Sequence, residues 1–190
     1  QVNEGIQFNT GFLSQYFITD RDKSTCVLEN PKVLLYSSKM TTLKGFYRVL
    51  EQVMTNKESV LIIAEDFDSE VLDTLVLNKI KAGFKVCAVK VPRLNKEAII
   101  TDIAVVTDSC MLNDTISEVM PHHLGSAEKI IIDKHHTTII NGSASKLNYH
   151  IKQLKEQRES IISNQIGRSG TSIGANIREA KYAHGTADFV

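Results

Sequence analysis

Residues 59–81 read Ser-Val-Leu-Ile-Ile-Ala-Glu-Asp-Phe-Asp-Ser-Glu-Val-Leu-Asp-Thr-Leu-Val-Leu-Asn-Lys-Ile-Lys. Val60 to Ala64 are an unbroken apolar run, which suits a strand buried on both faces of a parallel sheet. Asp66, Asp68 or Ser69 is then placed to cap a helix over 68–81, with the Glu70 carboxylate in its first turn, where the helix dipole favours it. At roughly 100° per residue, Val71, Leu72, Leu75, Val76, Leu77 and Ile80 cover about two-thirds of the wheel, whereas packing on one sheet face needs a stripe of ~100°. Val71 and Leu75 are expected to face the sheet. Some of the six side chains are then left without a core to enter.

The same alternation extends outward. Val33 to Tyr36 after Pro31, Lys85 to Val89 before Pro92, Lys129 to Asp133 and Thr137 to Ile140 read as strands. Thr41 or Thr42 begins a helix running to about Met54, and Glu97 to Val106 form another. Strands separated by helices over 33–106 predict an α/β fold: a βαβαβ core with right-handed crossovers, flanked by antiparallel strands. Residues 5–18 read as a short strand, a turn and an irregular segment, and 19–25 as a loop or hairpin. Residues 108–126 read as irregular, broken by Pro121 and Gly125. After Asn141-Gly142 the texture changes. Residues 143–162 form a charged helix with Leu147, Ile151, Leu154 and Ile161 in phase, and 163–190 depart from the βα pattern.

Composition narrows the function classes. The 190 residues carry 22 basic and 22 acidic side chains, a balance that points to neither nucleic acid nor a membrane surface as partner. No apolar run approaches the ~20 residues of a membrane span, and the opening residues lack a signal peptide's regions. Cys26, Cys87 and Cys110 are odd in number and widely spaced, which predicts a reduced, cytoplasmic setting, with Cys87 a small buried hydrophobe.

Four constellations bear on chemistry. Glu65, Asp66 and Asp68 follow a buried parallel strand, where α/β proteins place ligands, and three carboxylates there could hold magnesium for phosphoryl transfer or hydrolysis. No lysine, hydroxyl or histidine at matching spacing follows, so capping of the next helix is the favoured reading. His122-His123 and His135-His136 are adjacent pairs, a poor arrangement for shared metal ligation, and read as solvated turn residues. Gly167 to Gly174 has neither the spacing nor the lysine of a phosphate loop. The last is an apolar excess. Leu43, Phe46, Tyr47, Val49, Leu50, Val53 and Met54 on the helix over 42–54 join Phe12, Tyr16, Phe17 and the 68–81 helix, more than one sheet face can cover. That excess fits a thick core, an oligomer interface, or a groove for apolar polypeptide segments.

Six motifs carry a resemblance: Glu4-Gly5-Ile6-Gln7-Phe8, Gly11-Phe12-Leu13-Ser14-Gln15-Tyr16-Phe17-Ile18, Leu61-Ile62-Ile63-Ala64-Glu65-Asp66, Thr74-Leu75-Val76-Leu77-Asn78-Lys79, Val86-Cys87-Ala88-Val89-Lys90-Val91-Pro92 and Thr137-Thr138-Ile139-Ile140-Asn141-Gly142. In order and near-spacing they resemble the apical domain of group I (GroEL-type) chaperonins, over residues 4 to about 142. The resemblance implies a molecular chaperone domain without catalysis, which binds non-native polypeptides and then the mobile loop of the lid co-chaperonin on one apolar rim. By position, that rim falls on Phe12, Tyr16, Phe17, Tyr47, Leu50, Leu72, Val76 and Leu77, with Asn78 beside them. Phe12 stands where the family has tyrosine, Tyr47 where it has an aliphatic residue, and Gln15 where it has proline. After Pro92 the family's glycine-rich loop is reduced to Arg93-Leu94-Asn95-Lys96-Glu97.

The resemblance also implies an organisation: residues 1–142 as the apical domain and 143–162 as the helix returning toward an intermediate domain. ATP and magnesium belong to an equatorial domain the resemblance does not cover, so no cofactor or ATPase activity is expected of this stretch. The full-length family forms a homo-oligomeric ring, and this stretch is expected to be monomeric. Residues 163–190, above all Arg168-Ser169-Gly170-Thr171-Ser172-Ile173-Gly174-Ala175-Asn176-Ile177-Arg178-Glu179-Ala180, are instead similar to part of the four-helix-bundle family encoded by ribosomal RNA intervening sequences.

Overall fold

Val60–Phe67 is the central strand of the sheet its composition calls for. In the computed structural model it pairs in parallel with Lys32–Met40 on one edge, Val60 opposite Lys32, and with Val86–Lys90 on the other, Val60 opposite Val86. Residues 5–114 and 118–140 are described, all within one unit, Gln1–Lys146. The expected 143–162 helix, the 163–190 tail and the Asn141-Gly142 turn lie outside the described residues.

The elements in chain order are β1 (Gly5–Phe8), a single 3-10 turn (Gln15–Phe17), β2 (Cys26–Glu29), β3 (Lys32–Met40), α1 (Tyr47–Thr55), β4 (Val60–Phe67), α2 (Ser69–Ala82), β5 (Val86–Lys90) and α3 (Lys96–Thr107). They continue with β6 (Met111–Leu112), a second 3-10 turn (Pro121–His123), β7 (Gly125–Ser126), β8 (Lys129–Ile132) and β9 (Thr137–Ile140). The fold is α/β. One sheet runs β5-β4-β3-β6, with β7 antiparallel on β3, and a four-stranded antiparallel sheet runs β1-β9-β8-β2. The flanking strands expected at the two ends of the βαβαβ core thus pair with each other.

β3, β4 and β5 succeed one another in one direction across the sheet, so right-handed crossovers put α1 and α2 on the same face. α3 leads back past β3 to β6, which reverses the direction and assigns it to the opposite face. Val60 through Ala64 have no exposed surface, being covered from both sides. From Glu65 onward β4 alternates exposed, half-buried and buried, the mark of a strand whose partner layer covers only one face.

Several elements differ from the sequence reading, among them β3, which runs to Met40 rather than ending at Tyr36. β4 extends to Phe67, so Glu65 and Asp66 are strand residues rather than a capping turn. α1 begins at Tyr47, not near Thr42: the Phe46 N–H donates to the Leu43 carbonyl at 2.8 Å, and the Thr42 hydroxyl accepts from Lys44 N–H at 3.2 Å, closing a turn before the helix. Leu43 and Phe46 are buried from that turn, whose three-residue spacing imitates a helical one. Tyr36 fixes the start of α1, its ring lying edge-on to Phe46 at 5.4 Å and its hydroxyl donating to Asp114. Finally, β6 and β7 are strands inside the region expected to be irregular, and β2 is a strand just past the expected 19–25 loop or hairpin, where the pattern names no element.

Residues 10–13 join the two sheets. Phe12 bridges Val89 on the free edge of β5, Leu13 N–H donates to the Ala88 carbonyl at 3.2 Å, and Phe12 N–H donates to the Asp133 carbonyl at 3.2 Å. Thr10 Oγ1 donates to the Lys90 carbonyl at 2.6 Å, and Thr137 Oγ1 donates to the Thr10 carbonyl at 2.7 Å. Gly11 lets this crossing come so close. A Cβ there would stand 2.1 Å from the Asp133 carbonyl oxygen and 2.3 Å from the Lys134 carbonyl carbon, both backbone atoms with no rotamer to yield.

Gly11→Ala is therefore expected to lower the free energy of unfolding by about 1–3 kcal/mol or more, as forced overpacking does. Gly83, at φ +66 in open space, tests strain alone, and Gly83→Ala is expected to cost no more than about 1 kcal/mol. Urea midpoints of the two variants check this, and equal losses would refute the steric account of Gly11.

Candidate functional site

α2 begins just after Asp68, whose carbonyl accepts from Val71 and Leu72 N–H groups. It ends at Gly83 in the left-handed conformation, with Glu70 in its first turn and Lys79 and Lys81 in its last, all matched to the helix dipole. Val71 and Leu75 are buried against the sheet, as the wheel predicts. On the α1 side the two helices border a common cleft of about 170 Å³, with Tyr47, Leu50, Glu51 and Met54 contributed by α1 and Leu75 and Asn78 by α2.

The expected rim residues do not all meet there. Tyr47 is 57% exposed at the lip, Leu50 is buried on the floor, and Asn78 stands on the opposite lip, its side-chain amide donating to the Thr74 carbonyl at 2.9 Å. Leu77 is 50% exposed and lies on the outer crest of α2. Leu72 and Val76 are half-buried, not free as expected, and their wheel positions turn them roughly 120–160° from Asn78, away from α1. On that second flank Lys79 Nζ donates to the Phe17 carbonyl at 2.9 Å, which marks where the 3-10 turn Gln15–Phe17 packs.

Of the three early aromatics, Tyr16 is 65% exposed and Phe12 is half-buried on β5. Phe17 corrects the sequence reading: it has no exposed surface, and fills the core beneath the turn rather than lining a rim. Ile80, which the wheel includes in the apolar surplus and the resemblance does not place on the rim, is 61% exposed on α2.

Each of the three carboxylates at the end of β4 is engaged in an ion pair. Glu65 meets Lys96 at 2.9 Å, Asp66 meets Lys90 at 2.7 Å, and Asp68 pairs with Lys39. Asp68 occupies the first position before α2, yet its carboxylate goes to Lys39 and caps no N–H. Each carboxylate charge is matched by an ammonium, a poor starting point for holding magnesium. Among the described residues no group of three His, Cys, Asp or Glu side chains is placed to hold a metal ion. The four described histidines sit in turns. His123 Nδ1 accepts from the Met120 N–H at 3.1 Å, and Asp133 Oδ1 accepts from the N–H groups of His135 and His136 at 2.6 and 2.7 Å.

No protein-family model matches the chain. Among the described residues no helix is long and apolar enough to cross a membrane.

The Asp66 carboxyl is held below its ordinary range, first by the hydrogen bond from Lys90 and then by the Phe67 N–H at 2.7 Å. A depressed carboxylate contributes stability above its unfolded value and loses it as pH falls through the lowered folded value. The group is exposed, so the contribution is small and salt-sensitive. Carboxyl-carbon NMR titration should therefore find Asp66 ionising below the ordinary aspartate range. In Lys90→Gln it should shift upward, and an unmoved titration would show that the ion pair does not form in solution.

Proposed function

We propose that this chain is the polypeptide-binding domain of a chaperonin-type molecular chaperone, holding apolar segments of non-native polypeptides reversibly and without catalysis. The observation that supports it most is the cleft shared by α1 and α2, with Tyr47 and Asn78 on its lips and Leu77 exposed on the adjoining crest. Apolar side chains raised on two rigid helices suit a groove that accepts apolar segments without reading one sequence. Of the residues implied by the motif resemblance, Tyr47, Leu50, Leu77 and Asn78 belong to this surface. On this reading the lid co-chaperonin's mobile loop competes for it, and ATP with magnesium acts on an equatorial domain of the assembled ring. The setting is the cytoplasm.

Energetics favour weak single contacts. A fully buried apolar side chain gives about 1.5–3 kcal/mol before ordering costs are subtracted. Several copies in a ring would gain through effective concentration, whereas one domain alone binds poorly.

Fluorescence anisotropy with a labelled amphipathic peptide tests the reading. Tyr47→Ser and Leu77→Ser alter exposed side chains, so both variants should keep the wild-type circular dichroism spectrum. Each is expected to weaken binding about three- to tenfold, part of the value of one buried side chain. Affinity equal to wild type in both would sink the proposal. Sedimentation of the same samples separates peptide capture from self-association, since a wild-type dimer dissociated by Leu77→Ser would assign the crest to an oligomer interface.

A further inference from the structure

Two thiols meet in the core, away from the cleft between the helices. Cys26 on β2 and Cys87 on β5 are free cysteines without exposed surface, and their side chains hydrogen-bond to each other. β2 belongs to the antiparallel sheet and β5 to the parallel one, so the contact runs from sheet to sheet. Neither cysteine lines the α1–α2 cleft, and the pair stands whether or not that cleft holds polypeptides.

The chain leaves this point and returns to it. Leu13 N–H donates to the carbonyl of Ala88, the neighbour of Cys87, at 3.2 Å. The 3-10 turn Gln15–Phe17 follows and packs on β5 and α2, then the Asp20–Thr25 bridge, and the chain enters β2 at Cys26. The Lys79 ammonium acts on both thiols and is itself fixed by its bond to the Phe17 carbonyl at 2.9 Å.

The two sulfurs are not equivalent. The Cys26 thiol is held below its ordinary range, first by the hydrogen bond with Cys87, against the opposing effect of burial, and with help from the Lys79 ammonium. Burial pushes the Cys87 thiol well above its ordinary range. Cys26 is therefore the nucleophile of the pair, since the thiolate is the reactive form. Thiols already in contact are within short reach of the separation at which a disulfide closes.

We propose that Cys26 and Cys87 form a redox modification site, a dithiol that hydrogen peroxide converts reversibly into a disulfide between the two sheets. The Cys26 sulfur attacks one peroxide oxygen. An S–O bond forms as the O–O bond breaks, and the departing hydroxide takes up the proton that Cys26 gave up and leaves as water. The Cys87 sulfur then attacks the sulfur of this sulfenic acid. The S–S bond forms as the S–O bond breaks, and the Cys87 proton leaves with the hydroxide as a second water. The pair is oxidised by two electrons and the peroxide is reduced by two. A small thiol reverses the step by exchange, as suits a transient disulfide in a reducing compartment. Because neither sulfur has exposed surface, peroxide reaches them through local opening, and the exposed Cys110 reacts first. Once formed, the bond clamps the sheets together and closes the chain between positions 26 and 87, which restricts the unfolded state.

The test uses the full chain carrying Cys110→Ser, which removes the exposed thiol and the intermolecular products it would give. The native protein is treated with hydrogen peroxide, then unfolded in urea with iodoacetamide and weighed by mass spectrometry. Untreated protein should take a label on both remaining thiols and treated protein on neither, with the tryptic peptide of residues 24–32 joined to that of residues 86–90. Dithiothreitol should restore both labels. The oxidised chain should unfold at a higher urea concentration than the reduced chain. If Cys110→Ser does not fold, wild type alkylated at Cys110 in the native state serves the same test. Four results would each overturn the proposal: both labels retained after treatment, Cys26 carried to sulfinic acid with no link, a link that forms only when peroxide is added in urea, or an oxidised chain no more resistant to urea than the reduced one.

Discussion

The constraint on which the structure depends is that Val60–Ala64 must be hidden on both faces and paired on both edges. Five apolar residues without an alternating partner face cannot lie at the border of a sheet. β3 and β5 satisfy the two edges, and the faces then need two covering layers. α1 and α2 supply one, since successive right-handed crossovers in one direction cannot separate them. The adjacency of the two helices, and with it the cleft between them, is therefore a consequence of strand order rather than of affinity between the helices.

The same constraint makes β5 an edge strand, and an apolar edge is a liability. Residues 10–13 cover it, while their other side holds the turn at Asp133 in the antiparallel sheet. The segment thereby does two things. It protects the edge, and it ties the chain's opening residues to strands more than a hundred positions later, without which β1 and β9 would have no reason to meet. The exposed Tyr16 follows directly from this crossing, so its position is as well determined as that of the helices.

Much of this was legible in local pattern. Val71 and Leu75 were assigned to the sheet because a helix wheel fixes which residues share a face, and burial follows once the sheet is accepted. What escaped was set by distant partners. Phe17 sits in an aromatic segment that reads as surface excess, and its burial depends on what packs around the turn, including α2. The pattern alone puts the start of α1 too early, because the Leu43–Phe46 turn repeats the apolar spacing of a helix. Glu65, Asp66 and Asp68 read as a cap, because their actual partners, Lys96, Lys90 and Lys39, lie on α3, β5 and β3. Two-residue strands such as β6 and β7 have no pattern of their own and exist only as additions to β3.

The apolar surplus of α2 is divided by the geometry rather than gathered. A helix seated on a sheet by a narrow buried stripe has two flanks, and each flank meets a different neighbour. α1 stands on one side with Tyr47, and the 3-10 turn stands on the other with Tyr16. Leu72 and Val76, which would be the most hydrophobic part of a single groove, are half-buried against the core, so neither is free to deepen a pocket on its flank. Exposed side chains on both sides of one crest favour many weak contacts over one strong contact. A segment held by such contacts is released when any few of them are lost, which a binder that must let go of its ligand requires and a tight, sequence-specific receptor does not.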